Sequence, residues 1–322
     1  VRHPISWRDA LCRRIGAVTG AAKHVAVLSG GWSVEREVSL VTGAAVAAAL
    51  AEAGYRVSPI DVARDVAERL AALRPDSVFN ALHGRRGEDG CIQGLLELLG
   101  IPYTHSGVRA SALAMDKPTA KLLFAAAGLR CPAGRLVSPA EIAAGHVMTP
   151  PYVIKPRDEG SAVGVRIVRD ADERPFGNRP WEFAGDALVE EYIPGRELSV
   201  AVMGERALGV VEITPKTAFY DYEAKYSPGM SSHAIPAPLP DAIYALCLET
   251  ALAAHRALGC RGVTRADLRL DDRRGAAGLF LLELNTQPGL TPTSLVPELA
   301  AHAGISFTEL VSWMVEQATL DP

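Results

Sequence analysis

The chain has no Cys-x-x-Cys pair; its five cysteines (Cys12, Cys91, Cys131, Cys247 and Cys260) are scattered and odd in number. That pattern argues against a disulfide framework and a zinc site, and it fits a reducing cytosol. No apolar run approaches the roughly 18 residues of a membrane span, so no membrane partner is expected. Neither sign of charge dominates: a net charge of −4 gives no overall pull toward nucleic acid or anionic lipid. The N-terminal VRHPISWRDALCRRIGAVTGAAKH carries Arg2, Arg8, Arg13 and Arg14, but the IGAVTGAA that follows is short and made mostly of small residues. A secretory signal needs a continuous apolar core there. Residues 1–22 therefore read as a cytosolic extension with no assigned function. Internal repeats and low-complexity tracts are also missing.

What is present describes a globular protein of 322 residues, 48% hydrophobic and 22% charged. The length exceeds the usual single-core limit of about 250–300 residues, which implies two or three domains. HVAVLS (24–29) is a short apolar run ending in Gly30-Gly31. A helical stretch from Ser33 to about Ala53, a strand YRVSPID (55–61), a helix near 64–73, a strand DSVFNALHG (76–84) and a helix 89–99 follow. Strands alternating with helices predict α/β structure with a parallel, doubly covered sheet. A new unit begins near Met115, with Asp116 capping a helix to Ala127. PYVIKP (151–156), VGVRIV (163–168) and DALVEEYI (186–193) then make a strand-rich α+β domain. Glu197 to Thr214 gives two strands joined at Gly204-Glu205, and 215–240 reads as a long polar loop of the kind that covers active sites. A helix (241–258), a hairpin (262–285) and a closing helix (306–318) complete the chain.

The hairpin carries the first chemical signal. GVTRADLRL (262–270) and LLELNTQPGL (281–290) fold about a turn near Gly275. That places Asp267 opposite Glu283 and Arg265 opposite Asn285, all on one face because both spacings are even. Two carboxylates and an amide oxygen are hard donors suited to Mg²⁺ or Mn²⁺; the alternative is a structural ion pair with Arg265. Magnesium held by few carboxylates completes its shell with water and phosphate, which points to a nucleotide. VIKPRDEGSAVGVRIV (153–168) supplies a small-residue turn whose N–H groups could close over phosphate, with Lys155 at its entry and Lys117 opening the domain. It is no Walker A, since G-x-x-x-x-G-K-[ST] is absent.

SGGWSVEREVSL, ALHGRRGEDG, MDK, IKPRDEGSAVG, FYDYEAKY, TRADL and ELNTQPGLTPTSLVPE stand in the order found in the D-alanine–D-alanine ligase family of ATP-grasp enzymes. The chain resembles that family from about residue 23 to its end. The resemblance implies an N-terminal α/β domain (23–115) for the first substrate, a central lid domain (116–197) and a C-terminal catalytic domain (198–322), the last two clasping ATP. It implies that ATP phosphorylates one D-alanine carboxylate and that a second D-alanine attacks the acyl phosphate, for peptidoglycan synthesis. Asp267, Glu283 and Asn285 then resemble ligands of two Mg²⁺ or Mn²⁺ ions. Lys117, Lys155 and Lys225 resemble phosphate lysines, Glu190, Glu191, Tyr192 and Ile193 the adenine strand and linker, and Glu197 the ribose carboxylate.

Glu35 resembles the partner of the first D-alanine's ammonium; from the residues alone, Ser33 and Glu35 read as a capping box. His83 resembles a substrate-side histidine, although a lone loop histidine is more often merely solvated. Arg265 and the Gly289 N–H look like an oxyanion pair, and Ser294 with Leu295 like the pocket for the second carboxylate, Ser294 also serving as a helix cap. Ser161 and Tyr226 resemble the pair that, with Glu35, ties the loop 215–235 over the site. Ala162 replaces a serine present in many relatives, 138–151 is short for the family, and 1–22 falls outside the pattern. A homodimer is expected by family analogy alone. D-serine or D-lactate as second substrate is the nearest rival, with Tyr226 setting the preference. A dinucleotide-binding oxidoreductase fails because LSGGWSVE is no G-x-G-x-x-G. A non-catalytic nucleotide module would have lost a metal ligand or Arg265, and all are present.

Overall fold

The computed structural model describes residues 22–160, 163–176, 181–216 and 231–322. Ser161, Lys225 and Tyr226 lie outside these described residues. Two compact units emerge, one running to Val108 and including Arg261–Val263 and Gln287–Pro322, the other comprising Arg109–Cys260 and Thr264–Thr286. No helix among the described residues is long and apolar enough to cross a membrane.

The first unit is built on β1 (His24–Gly30), buried along its whole length between two parallel partners, β2 (Arg56–Val62) and β3 (Ser77–Asn80). A strand covered on both faces reads as a continuous apolar run, as HVAVLSG does. Helix α1 (Arg36–Glu52) buries Val38, Thr42, Val46 and Leu50, one face at helical spacing. Helices α2 (Val66–Leu73) and α3 (Cys91–Leu99) add Leu70 and Leu96 to a core with Leu28, Val78 and Tyr103. The C-terminal helices Leu295–His302 and Phe307–Glu316 belong to this unit. The second of them is tied down where Tyr55 Oη donates to Glu316 at 2.9 Å.

The strand expected over 76–84 stops at Asn80. The Asn80 side chain accepts from Leu82 N at 3.1 Å and donates to Gly87 O at 2.9 Å, turning the chain out of the sheet. The expected capping box is also not formed. Ser33 Oγ accepts from Glu35 N at 2.9 Å, and Glu35 takes the N-cap position with no side-chain cap bond.

The second unit holds two antiparallel sheets. The chain enters it within α4 (Val108–Met115), which leads into α5 (Lys117–Ala126). Asp116 caps α5 as expected, accepting from Thr119 N at 2.9 Å. One sheet has the order β4-β7-β5-β6, from β4 (Gly134–Val137), β5 (Tyr152–Pro156), β6 (Arg166–Val168) and β7 (Ala187–Glu191). It is backed by α6 (Pro139–Ala144), whose Ile142 packs with Tyr152, Ile154 and Val189. The other sheet has the order β10-β9-β8-β11-β12, made of β8 (Arg196–Met203), β9 (Arg206–Pro215), β10 (Ser231–Ala234), β11 (Val263–Leu270) and β12 (Leu279–Asn285). Its core packs Val200, Val210 and Leu268 against Ala251 of α7 (Asp241–Ala257) and Phe124 of α5. Strand β10 corrects the expectation of a structureless 215–240: Ser232 pairs with Thr214 and Ala234 with Glu212.

A buried histidine of the first unit carries a pH prediction. Burial first, then His83 and Arg261, pushes His105 down to about 3 from its usual 6.5. Folded His105 is therefore neutral at pH 7, and the unfolded chain binds the extra proton as pH falls. Its contribution is fully present above about 6.5 and is lost progressively as pH drops toward 3. His255 of the second unit, lowered by burial to about 4, adds in the same direction. Replacing His105 with Gln is expected to flatten the fall in urea midpoint between about pH 7.5 and about pH 5. An unchanged fall would show that His105 does not carry it.

Candidate active site

Alternation along β11 sets the chemistry of the second unit. Ala266, Leu268 and Leu270 point into the core while Arg265, Asp267 and Arg269 stand on the other, partly exposed face. Across the ladder Arg265 pairs with Asn285 and Asp267 with Glu283, the expected register. Beyond that point the pairing shifts by one residue, Leu268 opposing Leu281. Had the outer register continued, Asp267 would face Leu282. A β-bulge at Leu282 brings Glu283 opposite Asp267, and re-aiming a side chain is what such bulges do beside functional sites.

Asp267 and Glu283 line a cleft of about 430 Å³ walled by both sheets of this unit. Lys117, Lys155, Glu190, Glu191, Tyr192, Ile193 and Glu197 share its walls, with Val163, Val165, Ile167 and Ile213 as apolar surface. Lys117 reaches the cleft because Asp116 is bound by Arg157 (2.6 Å from Nε) and Lys117 N donates to Arg157 O at 3.2 Å, joining the start of α5 to the end of β5. Lys117 Nζ donates to Glu159 O at 2.5 Å and stands 3.8 Å from Glu283. Burial lowers its pKa, Glu283 opposing and Lys155 adding to the fall. At the turn after β5, Gly164 has φ +73, and a Cβ there would lie 2.4 Å from the Phe183 ring, so the turn needs glycine.

Glu190 is buried between two cations, Lys155 at 2.5 Å on one oxygen and Lys121 at 2.5 Å on the other. Burial works against its ionisation, but the two lysines hold its carboxyl below the usual range. Lys121 was missed by sequence reasoning, although it lies one helical turn after Lys117 and so on the same face. Arg269 was missed as well; it bonds Glu197 at 3.2 Å and Ile193 O at 3.2 Å, and lies 5.8 Å from the Tyr192 ring centre. The alternation of β11 that places Asp267 places Arg269 too.

Asp267 accepts two bonds from Arg265, at 2.8 and 2.7 Å, and a third from Ser199 Oγ at 2.6 Å. The ion-pair alternative for Arg265 is therefore formed. Arg265 and Asn285 stand at the end of the hairpin and are not among the cleft's lining residues. The donor set nevertheless fits a hard divalent cation. Two opposed carboxylates and a neighbouring amide oxygen lie on one face, and each carboxylate already draws a cationic side chain, Arg265 or Lys117.

The first unit gathers a second group of the expected residues. Gly84 has φ +68, and a Cβ there would lie 2.7 Å from Ser33 Oγ and 2.9 Å from Glu35 Oε2, so the loop after β3 closes against buried Glu35. His83 is buried rather than solvated, its Nδ1 3.0 Å from Glu88 Oε1 and its Nε2 3.1 Å from Thr42 Oγ1. Ser294 takes the N-cap position of the helix opened by Leu295, but its hydroxyl turns away from the helix. It accepts from Thr291 N at 3.0 Å, and a Cβ at Gly289 would lie 3.0 Å from it.

Two antiparallel sheets of one unit walling a cleft of lysines and carboxylates, in a chain whose other unit holds a parallel sheet, define an ATP-grasp protein. Residues 139–316 match the family model described as D-ala D-ala ligase C-terminus, and 65–106 the model for its N-terminus. The chain is 60% identical over 304 residues to the D-alanine–D-alanine ligase of Parvibaculum lavamentivorans, covering 93% of this chain and 99% of that one. It is 60% identical over 296 residues to the enzyme of Cereibacter sphaeroides, covering 92% and 96%. The crystal structure of the Bacillus anthracis ligase complexed with ATP superposes with a TM-score of 0.75 at 30% identity, over 92% of this chain and 97% of that one. The chain belongs to the D-alanine–D-alanine ligase family.

Proposed function

We propose that the chain uses ATP to join two D-alanine molecules into D-alanyl-D-alanine, releasing ADP and phosphate, as a step toward peptidoglycan precursors in the cytoplasm. The observation that carries this reading is the cleft of the second unit, where Lys117, Lys155, the 190–193 segment, Glu197, Asp267 and Glu283 share one set of walls. A nucleotide needs these features together: cations for phosphate, an apolar slot with carboxylate acceptors for the base and ribose, and acidic oxygens for its divalent ion.

In this reading Glu190 through Ile193 hold adenine, Glu197 holds ribose, and Lys117 and Lys155 draw the phosphates down onto the β11–β12 face. Asp267, Glu283 and Asn285 would hold two Mg²⁺ or Mn²⁺ ions, whose chemistry when bound is to neutralise the phosphate oxygens during transfer. Arg265 and the Gly289 N–H stabilise the negative charge that develops on the tetrahedral intermediate. Glu35 pairs with the ammonium of the first D-alanine and His83 stands beside it, oriented by Glu88. Ser294 and Leu295 receive the carboxylate of the second D-alanine. Lys225 reaches the transferred phosphate, and Ser161 and Tyr226, with Glu35, tie the loop 215–235 over the site to exclude the water that would hydrolyse an acyl phosphate.

We further assign the domains 23–115, 116–197 and 198–322 to first-substrate binding, lid and catalysis, with 1–22 as an extension, and, by family analogy alone, a homodimer. Phosphate release measured with ATP plus D-alanine, L-alanine or no amino acid tests the function. Only D-alanine should give rapid release and a dipeptide; equal rates in all three would overturn the reading.

A further inference from the structure

The first unit buries three primary amides whose bonds converge on the loop carrying His83. Asn80, Gln93 and Gln287 are all buried. Asn80 Nδ2 donates both to Gly87 O at 2.9 Å and to Gln287 Oε1 at 2.6 Å, while its Oδ1 accepts from Leu82 N at 3.1 Å. Gln287 Nε2 donates to Leu82 O, and Gln93 Nε2 donates to Gly87 O at 2.9 Å. Both backbone groups of Leu82, the residue before His83, are therefore held by one amide pair. Gln287 in turn lies just ahead of Gly289 and the Thr291–Ser294 turn in sequence.

We propose that Asn80 and Gln287 form a positioning pair that sets the spacing between the two amino-acid subsites of the ligase. One subsite is carried by the loop Leu82–Gly84 against Glu35, the other by the segment Gly289–Ser294. The inference rests on the function proposed above and adds residues that touch no substrate. An apolar contact would let the two segments slide, because dispersion has no preferred direction. Amide–amide bonds of this length fix distance and orientation together. Burial keeps water from substituting for either partner, so the geometry is held without exchange. Peptide-bond formation needs that rigidity, because the amine of one substrate must meet the carboxyl carbon of the other and small displacements cost rate steeply. The ATP cleft contains none of these residues, its walls belonging to the second unit alone.

The test is steady-state phosphate release by Gln287→Met, with D-alanine titrated at saturating ATP and ATP titrated at saturating D-alanine. Losing the directed bonds to Asn80 and Leu82 is expected to lower kcat about tenfold per folded molecule and to raise the KM for D-alanine severalfold, while leaving the KM for ATP within about twofold. Unchanged KM values with kcat reduced in step with the folded fraction would show a packing role only and overturn the proposal. So would equal rises in both KM values. If the Met variant does not fold, Gln287→Glu keeps the size and the acceptor for Asn80 but sets an oxygen against Leu82 O. The same split is expected of it, and its absence would equally overturn the proposal. A wild-type chain lacking D-alanine-dependent phosphate release would instead overturn the function itself, before any variant is compared.

Discussion

Glu283→Gln is expected to abolish D-alanine-dependent phosphate release, by about a thousandfold or more, in a protein that stays folded. Gln keeps the shape of the side chain and removes its charge. The carboxylate lies opposite Asp267 on the face that would hold the divalent ions, and 3.8 Å from Lys117. An amide there offers one neutral oxygen and turns a donor toward cations. The site would lose both its grip on the metal and the counter-charge that offsets Lys117. Stability should fall by no more than about 1–2 kcal/mol, because buried Lys117 loses a counter-charge at 3.8 Å but keeps its bond to Glu159 O, and the replaced side chain is 31% exposed. Near-normal turnover in this variant would refute the metal assignment, and a collapsed far-UV circular dichroism spectrum would show a structural role instead.

The largest effect on stability is expected from Glu190→Ala. Glu190 is 2% exposed and answers both Lys155 and Lys121. Its removal strands two buried ammonium groups in a site where desolvation already depresses the Lys121 pKa. Breaking a buried charge cluster by deleting one partner typically costs about 3–5 kcal/mol. A calorimetric or urea-derived loss of that size, with weaker ATP binding, is the expected result. Glu190→Gln, which keeps an acceptor for one lysine, should lose less. An alanine variant as stable as the parent would mean that water or another acceptor already serves the two lysines.

Some of the site was legible in the sequence and some was not, for physical reasons. Even spacing was enough to put Asp267 on one strand face with Arg265 and Glu283 on one strand face with Asn285, and Asp116 before a helical run was enough to place Lys117. The bulge at Leu282 was not legible, because one extra residue leaves the apolar alternation of LLELN looking regular. Strand β10 was hidden in a polar segment, since an edge strand buries little and needs no apolar signature. The Asn80–Gln287 bond joins residues 207 apart in sequence. Short-range periodicity carries no trace of such a pair. His83 read as a loop histidine, and its burial depends on Thr42 and Glu88, whose nearness only the fold creates.

The proposed chemistry requires opposed carboxylates on the β11–β12 hairpin to grip divalent ions beneath the terminal phosphates of ATP. Electron paramagnetic resonance of Mn²⁺ titrated into the protein with a non-hydrolysable ATP analogue tests it most directly. Two tightly held ions per chain are expected in the wild type, with a clear loss in Glu283→Gln. Equal Mn²⁺ occupancy in the two proteins would contradict it.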